Sequence, residues 1–425
     1  MPHDEKFRAP KGVHDVLPPD SRQWAVIVAR FAERARRYGY GLAITPMFEH
    51  VEVFQRVGEH TDVVSKEMYE LTDKGGRRLA LRPEGTASVV RAFVEHRPPP
   101  PWKVWYVAPN FRYERAQKGR YRQHWQLGVE ALGISDAAVD VEVIALLHGF
   151  YRDLGLTDVR LLLNSMGDAE TRPAFVAALR AHFAPHGAVL GDEFSARVDA
   201  NPMRVLDSKV EAWQDVIESA PQLTEYLSDA AADHFEQVQD GLRSLAIDVE
   251  LAPRLVRGFD YYTSTTFEFQ SAALDAAQSA VGGGGRYDGL VEEFGGPPTP
   301  GIGFGTGLER IVLALDALGT TVPVPGIDVF VVDGLGDGGA TTVATLVEAL
   351  RAEGFAVDRA YGGRSVKAQW KAADKSGAAL SVMVGRDELA RDAVAVKDLA
   401  TGEQAEVSRT GLVAWLMTRN EEKSR

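Results

Sequence analysis

Cysteine is absent from all 425 residues. Disulfides, thiolate catalysis and every cysteine-ligated zinc or iron–sulfur site are thereby excluded. Long apolar runs are missing as well. No stretch approaches the ~18 apolar residues of a membrane span, and the opening segment MPHDEKFRAPKG has no apolar core of a secretion signal. A cytoplasmic protein without membrane contact is expected. The ten histidines are scattered, with no HExxH or comparable spacing, so no protein-ligated metal is expected. No G-x-x-x-x-G-K-[ST] phosphate loop occurs. Positive charge is in deficit too: 47 Lys and Arg face 60 Asp and Glu, a net −13. That balance argues against non-specific coating of nucleic acid, yet permits a grip through local basic patches.

Against this deficit one stretch stands out. FRYERAQKGRYRQHWQLGVEALG, Phe111 to Gly133, sets Arg112, Arg115, Lys118, Arg120 and Arg122 against Glu114 in its first twelve positions, a local +4 (five minus one). An anionic ligand is one explanation for such a cluster in an acidic chain.

Length suggests two or three domains. Residues 21–40 read as an amphipathic helix, with Trp24, Ile27, Val28, Phe31 and Ala35 on one face. LAITPMFEH (Leu42 to His50) reads as a strand whose Pro46 belongs at an edge or bulge. Further strands are expected in RLALRPEG, in WKVWYVAPNFRYER (Trp102 to Arg115) and in YRQHWQLGVEA (Tyr121 to Ala131). The last two flank the five residues Ala116–Arg120, a length that suits a hairpin with a longer loop. Residues 170–245 turn helical and charged. TTVPVPGID reads as a linker, after which strand and helix patterns alternate as an α/β unit. The expected fold is α+β: an antiparallel-sheet domain over residues 1–325, with a helical insertion at about 170–245, and an α/β domain over 326–425.

In the second hairpin strand, Arg122, His124, Gln126, Gly128 and Glu130 share one face, and Asn110, Arg112 and Glu114 line up on the first. Alternation leaves two readings open, a pocket floor or the solvated outer face of an antiparallel sheet. GIGFGTGLERI strips a strand of side chains at 301, 303, 305 and 307, which a flat ligand or tight strand–helix packing would explain. Arg310 stands in the first turn of the following helix, where the dipole disfavours a cation unless it holds an anion. No G-x-G-x-x-G register fits this stretch. In LVRGFDYYTSTTFEF, the residues Arg257, Asp260, Tyr261 and Tyr262 surround Gly258, as site groups or as core tyrosines. The four glycines of VGGGGRYDGL mark a close backbone approach or a mobile loop.

Taken together, RPEGTASVVRA, the basic hairpin, LVRGFDYYTSTTFEF, GGGGRYDGL and GIGFGTGLERI resemble the histidyl-tRNA synthetase family of class II aminoacyl-tRNA synthetases. The resemblance runs from PKGVHDVLPPD to VKDLATGEQAEV, and RGFDYY is its histidine-specific element. It implies that L-histidine and ATP, with Mg2+, give histidyl-adenylate and pyrophosphate, and that histidine then passes to tRNA(His). It implies a histidine site of Glu84, Gly85, Thr86, Gln126, Glu130, Tyr261 and Tyr262. Of these, Glu84, Thr86 and Gln126 would hold the α-amino group, and Glu130 and Tyr262 the imidazole. Arg112 and Arg257 would grip the α-phosphate as the catalytic cations, Arg310 the γ-phosphate, and adenine would lie on the glycine strand near Gly305. Gln117, Lys118 and Arg120 would meet the tRNA acceptor end, the C-terminal domain the anticodon, and Pro46 a homodimer interface.

Such chemistry needs positioning and fixed positive charge rather than a protein nucleophile. A site that hydrogen-bonds imidazole also rejects amino acids lacking those groups by roughly 10⁴–10⁵, so no editing domain is required. Between Arg351 and Lys375 the C-terminal domain carries six basic and three acidic residues, net +3, which suits RNA or an ordinary solvated surface. Two positions depart from the family pattern: Ala116, where proline is common, and Phe259, where leucine is usual. The competing readings are a non-catalytic relative, the regulatory subunit of ATP phosphoribosyltransferase, and a synthetase for another amino acid.

Overall fold

An eight-stranded sheet organises the first part of the chain, in the order β1-β5-β6-β11-β10-β9-β7-β8. Its strands are β1 (Gly41–Leu42), β5 (Trp102–Phe111), β6 (Gln123–Leu132), β7 (Val159–Ser165), β8 (Val249–Leu251), β9 (Thr263–Ser271), β10 (Ala280–Arg286) and β11 (Gly301–Gly307). The outermost pairs at each edge are parallel and the six central strands are antiparallel. A second small sheet, β2 (Phe48–His50), β4 (Arg78–Leu81) and β3 (Tyr69–Thr72), is antiparallel. The computed structural model describes residues 7–58, 61–206, 208, 210–256, 261–275, 278–336 and 339–423.

One face of the large sheet carries Leu127, Val129, Phe304, Phe267 and Phe269. They pack into a core with the helices Asp20–Arg37 and Ala137–Leu154. The first helix forms because its apolar residues recur at helical spacing, burying Ile27, Phe31 and Ala35. Phe31 meets Phe150 edge-on at 5.0 Å and Phe304 at 6.1 Å. Deleting a ring so placed costs about 3–5 kcal/mol. Asp136 caps the second helix by accepting from the Ala138 N–H at 2.8 Å, and Gly155, at φ +84°, ends it where a side chain would be strained.

The insertion between β7 and β8 is helical, from Thr171–Phe183 through several short turns to Asp229–Ser244. It carries its own apolar residues into a cluster that also holds Tyr261, Tyr262 and Tyr287. A second compact unit spans Pro323–Arg425. Its sheet runs β13-β12-β14-β15-β16, from β12 (Val329–Gly334), β13 (Val357–Arg359), β14 (Leu380–Gly385), β15 (Ala393–Asp398) and β16 (Gln404–Ser408).

Three sequence expectations need correction. LAITPMFEH is not one strand: β1 pairs with β5, β2 pairs with β4, and the chain changes sheets through residues 43–47. Pro46 lacks the N–H a continuous ladder would need. The first hairpin strand stops at Phe111, not Arg115, because Tyr113 N–H turns away to donate to Glu67 O. The second begins at Gln123, so the connection covers residues 112–122. The C-terminal unit is not a plain alternation of strand and helix: β14, β15 and β16 are antiparallel neighbours in succession, and the helix Leu412–Lys423 follows them.

Candidate active site

The polar face of the hairpin lies against glycine. Register sets Glu130 beside Gly303, Gly128 beside Gly305 and Gln126 beside Gly307, and Gly285 and Thr266 continue the Glu130 row across β10 and β9. The bareness of β11 has a direct steric cause. A Cβ at Gly303 would stand 1.8 Å from Glu130 Oε2, and one at Gly305 would stand 1.8 Å from Gln126 Nε2. The room read as space for a flat ligand is, at these two positions, taken by protein side chains lying across the strand. Gly307 stays open, with nothing nearer than 3.8 Å.

A cavity of about 190 Å³ opens here, lined by Arg112, Glu114, Arg120, His124, Gln126, Gly305, Gly307, Glu309 and Arg310. Arg112 enters from beyond the end of β5, its Nε donating to Pro83 O at 2.9 Å. Arg310 enters from the helix Leu308–Ala317, its Nη1 donating to Ala280 O at 2.6 Å and its Nε to Gly119 O at 3.3 Å. Burial, and then the nearby Arg120 charge, push the Arg310 guanidinium below its ordinary value. Burial, followed by Arg112 and Arg310, holds His124 down at about 3, so its ring is neutral at physiological pH. Cations gathered in a partly dry pocket are the arrangement an anion offsets. Glu309, pushed up to about 7 by burial, accepts from the Trp125 N–H at 2.9 and 3.1 Å and so ties β6 to the Arg310 helix.

A second cluster surrounds Glu130, which is fully buried. Thr86 Oγ1 donates to it at 2.8 Å, Tyr106 OH at 3.3 Å, and Tyr287 OH also donates. Burial outweighs these bonds and raises its carboxyl to about 8. Glu84 accepts from the N–H groups of Thr86 and Ala87 at 2.7 and 2.6 Å, at the positive end of the helix Thr86–His96. Burial still raises its pKa. Only glycine fits at 85, where a Cβ would meet the Tyr106 ring at 2.6 Å. Tyr261 and Tyr262 pack at 4.6 Å between ring centroids, and Tyr261 meets Tyr287 at 5.8 Å. Arg172, from the insertion, donates to Tyr262 O.

The sheet therefore brings Arg112, Gln126, Gly305 and Arg310 to one cavity, and gathers Glu84, Gly85, Thr86, Glu130, Tyr261 and Tyr262 in one buried cluster. Arg257 lies outside the described residues. In the loop, Gln117 and Lys118 are exposed at the tip, whereas Arg120 turns back to line the cavity. Sequence reading missed Tyr106 and Tyr287 as partners of Glu130, although Tyr287 stands inside the quoted GGGGRYDGL. It also missed a buried hub: Asp140 accepts from Arg286, from Thr265 Oγ1 at 2.6 Å and pairs with His234 at 2.9 Å. Burial would raise the Asp140 carboxyl, but His234 and Arg286 hold it below its usual value.

Residues 12–311 match the family model described as histidyl-tRNA synthetase, and residues 330–419 match an anticodon binding domain. The chain belongs to the histidyl-tRNA synthetase family. Among relatives, the histidine–tRNA ligase of Anoxybacillus flavithermus is 48% identical, over 95% of this chain and 96% of its own. That of Rubrobacter xylanophilus is 46% identical, over 95% and 97%. The apo histidyl-tRNA synthetase of S. aureus superposes with a TM-score of 0.82 at 36% identity, covering 97% of this chain and all of that one. A Bacillus halodurans protein described as an ATP phosphoribosyltransferase regulatory subunit/histidyl-tRNA synthetase shares the fold, with a TM-score of 0.63 at 22% identity. Family membership thus spans the sheet that carries the cavity, and the anticodon-domain match lies within the unit that begins at Pro323.

Proposed function

We propose that the chain is a histidine–tRNA ligase whose two linked clusters hold the two halves of histidyl-adenylate. It activates L-histidine with ATP, releasing pyrophosphate, and transfers histidine to tRNA(His). Arg112 and Arg310, projecting from different elements into one cavity, carry this reading, since they supply the fixed positive charge that phosphoryl transfer requires.

In this reading the nucleotide phosphates lie between Arg112 and Arg310, with Arg257 as a second hold on the α-phosphate. Adenine lies over the sheet at the open Gly307, beyond the Gln126 side chain that covers Gly305. Histidine occupies the Glu130 cluster. A carboxyl raised to about 8 is largely protonated at neutral pH, so it has one O–H to donate while its oxygens go on accepting. Neutral imidazole does the same. Glu84 and Thr86 hold the α-amino end and Tyr262 flanks the ring. Attack by the histidine carboxylate on the α-phosphorus then needs alignment alone.

Mg2+ enters with ATP. Glu114 and Glu309 offer the hard oxygen donors on the cavity wall that suit this ion. Among the described residues no three acidic or histidine side chains cluster as a cage, so Mg2+ is best read as part of the nucleotide complex. Gln117 and Lys118, exposed on the loop, would meet the tRNA acceptor end, and the unit after Pro323 would read the anticodon. Leu42, Ile44, Met47 and Phe48 leave an exposed apolar strip around Pro46 that a second copy would cover in a homodimer. No described helix is long and apolar enough to cross a membrane.

Incubation with ATP, labelled histidine and tRNA(His) tests the function. Acid-precipitable histidyl-tRNA is the expected product, and its absence under conditions where tRNA and protein are intact overturns the reading.

A further inference from the structure

Gln126 can offer a ligand either end of its amide, and the two ends recognise opposite chemistry. An Nε2 donor meets oxygen, whereas an Oε1 acceptor meets an ammonium group. Which end faces the cavity is decided next door. Asn110 Nδ2 donates to Gln126 Oε1 at 2.7 Å, occupying the acceptor end. The Nε2 end is left lying across β11 at Gly305, on the cavity wall.

Asn110 has the marks of a residue kept for this bond. It is completely buried, at the last part of β5, and its Oδ1 is buried with no donor. Among the described residues its side chain makes no other hydrogen bond. A buried amide oxygen left unpaired is destabilising, so an apolar residue here would favour stability. The position serves Gln126 instead.

We propose that Asn110 is a positioning residue: it holds Gln126 with Nε2 toward the cavity, where that amide donates to a carboxylate oxygen of the bound amino acid. This rests on the ligase reading and revises it, since Gln126 then orients the attacking carboxylate rather than the amino group. Gln126 is suited to the task because it stands on β6 between the arginine-lined end and Glu130, where the two substrates must meet. The amide leaves the carboxylate ionised, as nucleophilic attack requires, while restricting its rotation.

The test is a double-mutant cycle with Asn110→Asp, Gln126→Ala and the pair, read by histidine-dependent ATP–pyrophosphate exchange. Aspartate accepts but does not donate, so it draws Nε2 toward itself and presents the wrong end to the substrate. Asn110→Asp is expected to lower kcat/KM for histidine about 10–100-fold while changing the KM for ATP less than about two-fold, and to cost under about two-fold once Gln126 is alanine. Asn110→Ser, which keeps a donor, is expected to retain more activity than the aspartate variant, and it carries the cycle if the latter does not fold. Equal losses in both backgrounds, or a rise in the ATP KM as large as that for histidine, overturn the proposal. Histidine affinity by calorimetry separates the two readings. Coupling of the four variants in calorimetric histidine affinity, with no exchange from any of them, sinks the ligase reading and leaves Asn110 standing, whereas a chain that binds no histidine sinks both.

Discussion

The carboxyl of Glu130 lies over the backbone of Gly303, so close that a Cβ there would stand 1.8 Å from Oε2. The two residues are cross-strand partners on β6 and β11, so neither can move without disturbing the ladder. Gly303→Ala is therefore expected to displace Glu130 rather than itself. The KM for histidine should rise at least about tenfold, with a smaller change for ATP, as measured by pyrophosphate exchange. Equal changes for both substrates would show that Glu130 does not meet histidine.

Glu130 also makes stability depend on pH. Its carboxyl titrates at about 8 in the folded chain against 4.5 ordinarily, so the folded state holds one proton more between those values. Stability from this group is full below about 4.5 and falls as pH rises toward 8. Glu130→Gln cannot titrate. Its Tm relative to the wild type should climb by a few degrees, as an order of magnitude, between pH 5 and 8, then level off. A constant difference across that range would contradict a raised carboxyl.

Arg310 is asked to hold phosphate through a planar fork. Arg310→Ala should lower exchange by about 10²–10³, the scale of one preorganised charge lost. Arg310→Lys restores the charge without the fork and should recover only part of it. Full recovery by lysine would reduce the role to bulk electrostatics.

The hub behind the site is structural. Asp140 is fully buried against Arg286, whose neighbour Tyr287 donates to Glu130. Asp140→Ala leaves the buried Arg286 guanidinium with only the part-exposed Asp288 carboxylate and backbone carbonyls, and should cost about 3–5 kcal/mol in urea unfolding. A loss under about 1 kcal/mol would mean that water or another group replaces the carboxylate.

What could be read in advance follows physical range. The Asp20–Arg37 helix and the alternation of β5 and β6 are local patterns, and both stand in the sequence. The bare strand at 301–307 was legible as an anomaly, but its cause was not, because Glu130 and Gln126 lie more than 170 residues away. The strand end at Phe111 was missed because the Glu67 carbonyl, which captures the Tyr113 N–H, comes from the distant connection that leads into β3. Asp140, His234, Thr265 and Arg286 meet only through the fold. Tyr106 reads as an ordinary core aromatic until Gly128 and Gly85 are seen to make room for its ring.

The most direct measurement is ATP–pyrophosphate exchange with each of the twenty amino acids in turn. Exchange with L-histidine alone, lost in the Arg112→Ala and Glu130→Ala variants, is the expected result. Exchange sustained by another amino acid, or none with histidine from a folded chain, would contradict a site in which arginines on one side and a buried carboxyl on the other assemble histidyl-adenylate.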